Sequence, residues 1–159
     1  MVSQTDLSYL RRCVELAAEA LAEGSDPFGS ILVSQTGEVV FSDHNREHDG
    51  DNTAHPEFAI ARWAARQLST DARAAATVYT SGEHCPMCAA AHGWAGLGRI
   101  VYAVSSAQLT EWRAAWGAAP SPVAPLPITT VVPGATVDGP VPELVDEIKA
   151  LHRTSVERR

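Results

Sequence analysis

The chemistry of this chain is carried by two short motifs, Thr-Ala-His-Pro-Glu at residues 53–57 and Glu-His-Cys-Pro-Met-Cys at residues 83–88. Within them, His55, Cys85 and Cys88 supply one imidazole and two thiols. This ligand set suits Zn²⁺, and three protein ligands leave the fourth position of a tetrahedral site open for water. Because an open position is typical of a catalytic rather than a structural zinc, the motifs predict a reactive metal centre.

A potential proton carrier accompanies the ligands. Glu57 lies two residues after His55, so its carboxylate can reach water at the open position without binding the metal. A carboxylate in this place can act as general acid and base. Either motif alone is a weak signal, because Cys-x-x-Cys also occurs in redox pairs and structural metal clips. Two buried cysteines near an unrelated surface histidine are the structural alternative, but both motifs in this order favour the catalytic interpretation.

The residues around the motifs predict helices that begin close to the ligands. A helix is predicted over 55–68, a strand at 76–80 and an alanine-rich helix at 86–95. Cys85 and Cys88 would then lie at a strand-to-helix junction. The positive end of a helix dipole stabilises thiolates, so this junction is a favourable place for a dication and two sulfur ligands.

Hydrophobic periodicity predicts the other elements. They are helices at 5–23, 107–117 and 143–152, strands at 30–33, 38–42 and 99–104, and an edge strand at 128–132 inside a proline-rich connection, 118–142, that holds seven of the 10 prolines. Helices alternating with strands favour a mixed sheet covered on both faces, in a single domain over 1–159. Within these elements, Cys13 is interpreted as a small buried hydrophobe, and His44 and His48 as solvated histidines of a polar loop.

Composition limits the partners. The 159 residues include 12 basic and 19 acidic side chains, for a net charge of −7. The sequence has no basic stretch of the kind that neutralises phosphates, so a small neutral substrate is expected and nucleic acid is not. No apolar run reaches membrane length, and no signal peptide is visible at the N-terminus, so no membrane partner is expected. With three cysteines, two of them in the metal motif, a reducing cytoplasm is the expected location.

From about residue 7 to residue 102 the chain resembles the cytidine deaminase superfamily, and within it the branch of bacterial guanine deaminases and tRNA adenosine deaminases. The resemblance rests on Pro-Phe-Gly at 27–29 before an apolar strand, Asn45, His55-x-Glu57 and Cys85-x-x-Cys88. Details closer to guanine deaminases are Asp-Pro-Phe-Gly at 26–29, Tyr-Thr-Ser at 79–81, Cys-Pro-Met-Cys at 85–88, and Trp94.

The resemblance implies a three-layer α/β/α fold with a mixed sheet of about five strands, and a homodimer. It implies that His55, Cys85 and Cys88 bind Zn²⁺ and that Glu57 shuttles protons. Asn45 would contact the edge of a base. Phe28 and Trp94 would form an apolar slot for a flat ring, unless they are core aromatics, the more common fate of such residues.

The chain also departs from the family pattern. Pro56 stands where the family usually has alanine, and His84 stands where it usually has proline, so His84 is expected to reshape the pocket beside the metal. Guanine deaminases use a second acid from the C-terminal part, where the resemblance fades. Glu111 and Glu143 are the candidates for it.

The expected reaction is hydrolytic deamination of a free aminated nucleobase or analogue: a guanine-like or cytosine-like base, or an aminotriazine. Guanine is only slightly favoured, because the segment that closes the guanine pocket in the family has no clear counterpart. The alternatives are a tRNA adenosine or nucleoside deaminase, a non-catalytic zinc-stabilised interaction protein, and a thiol redox protein that uses the two motif cysteines.

Overall fold

The computed structural model describes residues 1–158. Its strands are β1 Gly29–Val33, β2 Val39–His44, β3 Thr77–Gly82, β4 Arg99–Val104 and β5 Val137–Asp138. Its helices are α1 Gln4–Ala22, α2 Pro56–Gln67, α3 Thr70–Ala75, α4 Pro86–Ala95, α5 Ser106–Ala115, α6 Ile128–Val131 and α7 Val145–Glu157. Two short 3-10 turns cover Glu47–Asp49 and Pro142–Leu144.

The five strands form one mixed sheet in the order β2-β1-β3-β4-β5. β1 is antiparallel to both of its neighbours, whereas β3, β4 and β5 run parallel to one another. The parallel strands are connected through helices, as parallel neighbours require. The C-terminal end of β3 leads directly into the cysteine motif, so the sheet fixes the position of that motif.

Helices cover both faces of this sheet. Successive residues of β1 point to opposite sides, so that Ile31 joins the core under α1, α5 and α7, while Leu32 joins the core under α2. The same alternation places Val101 in the first core and Ile100 against α4 and α6. The three-layer α/β/α prediction, with a mixed five-stranded sheet, is therefore confirmed.

Helix α1 packs unusually close to β1 at Gly29. A Cβ atom at this glycine would collide with the carbonyl oxygen of Cys13 and the Cβ of Leu16. Cys13 itself is fully buried and free, which confirms its interpretation as a small hydrophobe. The tight contact fixes the start of β1, and with it the following residue, Ser30, which belongs to the candidate site.

The predicted edge strand at 128–132 is wrong. Ile128–Val131 forms α6 instead, and the strand at the sheet edge is Val137–Asp138. Pro127 precedes the helix, and the backbone N–H of Ile128 donates to the carboxylate of Glu83 at 3.0 Å. This long-range bond satisfies a free donor at the start of the helix, and nothing in the local sequence predicts it.

The interpretation of His44 as a solvated loop residue is also wrong. His44 is the last residue of β2 and is buried, with Nδ1 3.1 Å from the carbonyl oxygen of Asn45. His48 is about one-third exposed on its side chain (30%) and contacts the hydroxyl of Ser25 at 2.8 Å. The residue as a whole is exposed, which confirms its interpretation as a solvated histidine of the loop. None of the helices within residues 1–158 has the length and apolar character needed to cross a bilayer.

Candidate active site

Two helix starts bring the predicted metal ligands together. His55 is the N-cap residue of α2, Cys85 is the N-cap residue of α4, and Cys88 lies in the first turn of α4. Neither N-cap side chain makes a capping hydrogen bond to the backbone of its own helix, so the imidazole and the thiol stay available for a metal. Prolines occupy the first helical position of both helices, where a missing N–H costs nothing.

The three ligand atoms form a nearly equilateral triangle. Nδ1 of His55 lies 3.6 Å from Sγ of Cys85 and 3.5 Å from Sγ of Cys88, and the two sulfurs are 3.6 Å apart. A tetrahedral zinc with ordinary bond lengths would separate its sulfurs by about 3.8 Å and each sulfur from nitrogen by about 3.5 Å. The residues therefore fit zinc both in kind and in spacing.

The electrostatics of the triangle favour metal binding. A hydrogen bond from Cys88, supported by His55, lowers the pKa of Cys85 to about 4 despite burial. The contact with Cys85 raises the pKa of His55 to about 9. Contact with Cys85 and burial raise the pKa of the Cys88 thiol. Because a metal binds thiolates and neutral imidazole, a bound dication would release the protons that these groups share.

Glu57 is buried in the first turn of α2, with 5% of its surface exposed. Its Oε1 accepts hydrogen bonds from the hydroxyls of Ser30 at 2.8 Å and Thr80 at 2.7 Å. These two residues face each other across the β1–β3 ladder. Within residues 1–158, Oε2 of Glu57 makes no hydrogen bond. One carboxylate oxygen is thus held in place while the other stays available to exchange a proton.

Sequence reasoning did not identify Ser30 and Thr80. Each is a fully buried hydroxyl residue within a strand whose residues are mostly buried. Because buried polar side chains need partners, a polar residue in such a strand is the signal that could have found them. Glu57, the acceptor of both hydroxyls, lies more than 20 residues from each of them in the sequence. Local sequence patterns therefore do not predict that the three side chains meet.

Asn45, the predicted contact to a base edge, is 1% exposed and follows β2 directly. Its Nδ2 donates to the carbonyl of Asp26 and to Glu47 Oε1, whereas its Oδ1 has no partner within residues 1–158. The ring of Phe28 lies against Gly82 at the end of β3 and meets His152 of α7 edge-on, with centroids 4.9 Å apart.

His84, directly before the first cysteine ligand, is buried, and neither ring nitrogen has a hydrogen-bond partner within residues 1–158. Burial, reinforced by His92, lowers the pKa of His84 to about 3. Its ring stands nearly perpendicular to that of His92 at 5.4 Å. His152 is also fully buried and neutral, because burial lowers its pKa to about 4. Of these three buried imidazoles, sequence analysis predicted a role only for His84, and it did not identify His92 or His152.

Three other predicted site residues lie on the surface. Trp94 is 92% exposed on α4, so it is not a core aromatic. Glu111 on α5 and Glu143 in the turn before α7 are exposed and make no hydrogen bond within residues 1–158. Within residues 1–158, no hydrogen bond or ion pair joins any of the three to the ligand triangle. Their assigned roles therefore stay predictions.

A different acid is the first residue of the cysteine motif. Glu83 is largely buried, and its carboxylate accepts from the backbone N–H of Ser106 at 2.8 Å and of Ile128 at 3.0 Å. These are the first residues of α5 and α6, so Glu83 stabilises both helix starts. Its oxygens are therefore engaged in structure and not free for proton transfer.

Residues 3–104 match the family model of the cytidine and deoxycytidylate deaminase zinc-binding region. The chain belongs to this deaminase family. The match covers the ligand triangle and Glu57, and together with the geometry of His55, Cys85 and Cys88 it confirms the zinc prediction. It also confirms the resemblance on which the expected fold rested.

Several deaminases are similar in sequence to this chain. It is 36% identical over 113 residues to a probable cytosine deaminase of Schizosaccharomyces pombe, covering 69% of this chain and 67% of that protein. It is 32% identical over 105 residues to the guanine deaminase of Bacillus subtilis, covering 65% and 67%. It is 33% identical over 98 residues to the tRNA-specific adenosine deaminase of Bacillus subtilis, covering 61% and 60%.

Solved structures support the same fold. A structure of guanine deaminase from Nitrosomonas europaea superposes with a TM-score of 0.70 at 19% identity, covering 99% of this chain and 86% of that one. The guanine deaminase of Bacillus subtilis gives a TM-score of 0.57 at 25% identity, covering 91% of both chains. These guanine deaminases therefore share the fold of this chain.

Proposed function

We propose that this chain is a zinc-dependent hydrolase that deaminates a free aminated nucleobase or base analogue and releases ammonia. The observation that carries the proposal is Glu57, buried beside a three-ligand triangle with one oxygen held and the other available. A structural zinc site needs a fourth protein ligand and no buried acid. The group within residues 1–158 has three ligands, His55, Cys85 and Cys88, which supports a catalytic over an interaction role.

His55, Cys85 and Cys88 would hold the zinc, which when bound lowers the pKa of water toward neutral. Glu57 removes a proton from the attacking water and delivers it to a ring nitrogen of the base. The water oxygen bonds to the carbon that bears the amino group. Glu57 then takes the second water proton and passes it to the amine, the C–N bond breaks, and ammonia leaves. Water and an aminated ring thus become a ring carbonyl and ammonia.

The charges on the surface support a free base over a polynucleotide. Five arginines are paired with nearby carboxylates: Arg12, Arg46, Arg99, Arg113 and Arg153. Paired cations contribute little to phosphate binding, which depends on positive charges that replace counterions. With a net charge of −7, the chain would repel an extended RNA strand.

An ammonia-release screen tests this function. The zinc-loaded protein is given cytosine, guanine, their nucleosides and aminotriazines, and a tRNA deamination assay is run under matched conditions. Turnover of a free base or triazine, lost in Glu57→Gln, is the expected result. Inosine formation in tRNA with no activity on any small molecule would refute the proposal.

A tRNA adenosine deaminase remains the second candidate, because one relative with that activity is 33% identical over 98 residues. The family relationship alone does not separate the two classes. The matched tRNA assay does so directly, since adenosine in a tRNA loop and a free base are offered to the same preparation.

We also propose a homodimer in the cytoplasm. Trp94 leaves 92% of a large apolar side chain in water, and such residues are common anchors of protein interfaces. A reducing compartment keeps Cys85 and Cys88 as ligands. Sedimentation of the parent and of Trp94→Glu tests the dimer. A monomeric parent refutes it, and an unchanged dimer in the variant excludes Trp94 from the interface.

A further inference from the structure

The amide of Asn45 is fixed in one orientation. Its Nδ2 donates to the backbone carbonyl of Asp26 at 3.2 Å and to Glu47 Oε1 at 2.6 Å. A carbonyl oxygen and an ionised carboxylate can only accept hydrogen bonds, so the nitrogen of the amide, and not its oxygen, must face them. Both hydrogens of this nitrogen are used, and the side chain has no donor left.

The other end of the same amide is an acceptor without a partner. Oδ1 of Asn45 is buried and makes no hydrogen bond within residues 1–158. Buried polar atoms in folded proteins nearly always have a partner, and the exceptions mark functional groups or bound water and ligands. Oδ1 therefore has an open acceptor position, which a bound water or a donor on a ligand can fill.

Backbone contacts tie the segment that carries Asn45 to the residue before the metal ligand His55. Its own N–H donates to the carbonyl of Phe28 at 2.9 Å. The N–H of the next residue, Arg46, donates to the carbonyl of Ala54 at 3.1 Å, directly before the metal ligand His55. Asn45 thus lies between the start of β1 and the helix that carries the catalytic acid.

We propose that Glu47 is a specificity-determining positioning residue that holds Asn45 so that only its acceptor oxygen is available to the substrate. The inference rests on the proposed function and narrows its substrate class. The ring must bring an N–H donor to this edge, as cytosine and guanine do at their unsubstituted ring nitrogens. A ring nitrogen that carries a sugar or a methyl group, or only a lone pair, does not meet the requirement.

Amide orientation can be measured without any substrate. In ¹⁵N spectra of the zinc-loaded protein, the side-chain NH₂ signal of Asn45, assigned by its loss in Asn45→Asp, should be shifted downfield and exchange slowly. In Glu47→Ala this signature should disappear. Glu47→Gln should restore it, because its amide oxygen still accepts. Asp49→Ala removes an exposed carboxylate from the same turn and is the matched control. An unchanged signal in Glu47→Ala would overturn the proposal that Glu47 holds the amide of Asn45 in one orientation.

Substrate preference gives the second test. The values of kcat/KM for cytosine and guanine are compared with those of their single N-methyl derivatives. Methylation of the nitrogen that faces Asn45 should cost the parent about 10–100-fold. In Glu47→Ala the difference should fall below about 3-fold, mainly because the unmethylated base becomes slower. Glu47→Gln and Asp49→Ala should keep the parental discrimination.

The outcomes separate this inference from the proposed function. Turnover of a free base with the same discrimination in Glu47→Ala as in the parent overturns the role of Glu47 and leaves the proposed function intact. No turnover of any base by the parent refutes the proposed function and the donor requirement with it. The orientation of Asn45 is then decided by the NMR result alone.

Discussion

Replacing Glu57 by glutamine separates proton transfer from every other role of this residue. In the parent, Oε1 accepts from Ser30 at 2.8 Å and from Thr80 at 2.7 Å. The glutamine oxygen can accept the same two bonds in the same place, so the fold and the zinc should remain. The lost group is a protonatable oxygen, which should lower kcat by ~10²–10⁴-fold, or about 3–5 kcal/mol.

Thr80→Val provides a comparison variant for which a smaller loss of activity is expected. It leaves the carboxylate but removes the Thr80 hydroxyl, which lies 2.7 Å from Glu57 Oε1 and also contacts the carbonyl oxygen of Gly82 and the hydroxyl of Ser30. The lost bond to the charged acceptor should cost about 1.5–3 kcal/mol, or ~10–150-fold. Both variants are assayed for ammonia release, with zinc measured by elemental analysis and folding by circular dichroism. If Glu57→Gln keeps zinc and works within about 3-fold of the parent, Glu57 carries no proton and the mechanism is wrong.

Three further results are expected. Cys85→Ala combined with Cys88→Ala should abolish zinc binding by elemental analysis, and retained stoichiometric zinc would contradict the site. Burial raises the pKa of Asp6, but bonds from Arg99, Tyr79 and Ser3 outweigh it and lower that pKa below its usual value. Asp6→Asn should therefore cost about 3 kcal/mol in urea unfolding at pH 7, and the difference from the parent should shrink as the pH falls below about 4. Gly29→Ala should destabilise by about 2–3 kcal/mol through its collision with α1, and an unchanged unfolding midpoint would contradict that packing.

The metal ligands were predictable from the sequence because their geometry is local. Cys85 and Cys88 occupy the start and the first turn of α4, whose predicted bounds agree with the structure. His55 and Glu57 are two residues apart at the start of α2, so their relative position follows from one helical turn. The approach of α2 to α4, which brings His55 to the two cysteines, depends on the tertiary structure and could not be read from local sequence.

The parts that sequence analysis missed depend on pairing across the sheet. Ser30 and Thr80 reach Glu57 only through the register of β1 against β3. The segment at 128–132 is rich in β-branched residues, which favour strands, yet a carboxylate from residue 83 caps it as a helix. His44 is buried because β2 extends two residues beyond the predicted end. In each case a contact distant in sequence overrode a local preference.

The two bonds accepted by Glu83 have a consequence for the proline-rich segment. They fix Ser106 and Ile128, the starts of the two helices that flank residues 119–127 of this segment, to one carboxylate at the start of the cysteine motif. Between those helices, residues 119–127 are all exposed. Since both sides of the loop are anchored independently of its interior, lengthening it costs only a slowly growing loop-closure entropy. A peptide inserted into residues 119–127 should therefore leave the metal ligands of this chain in place.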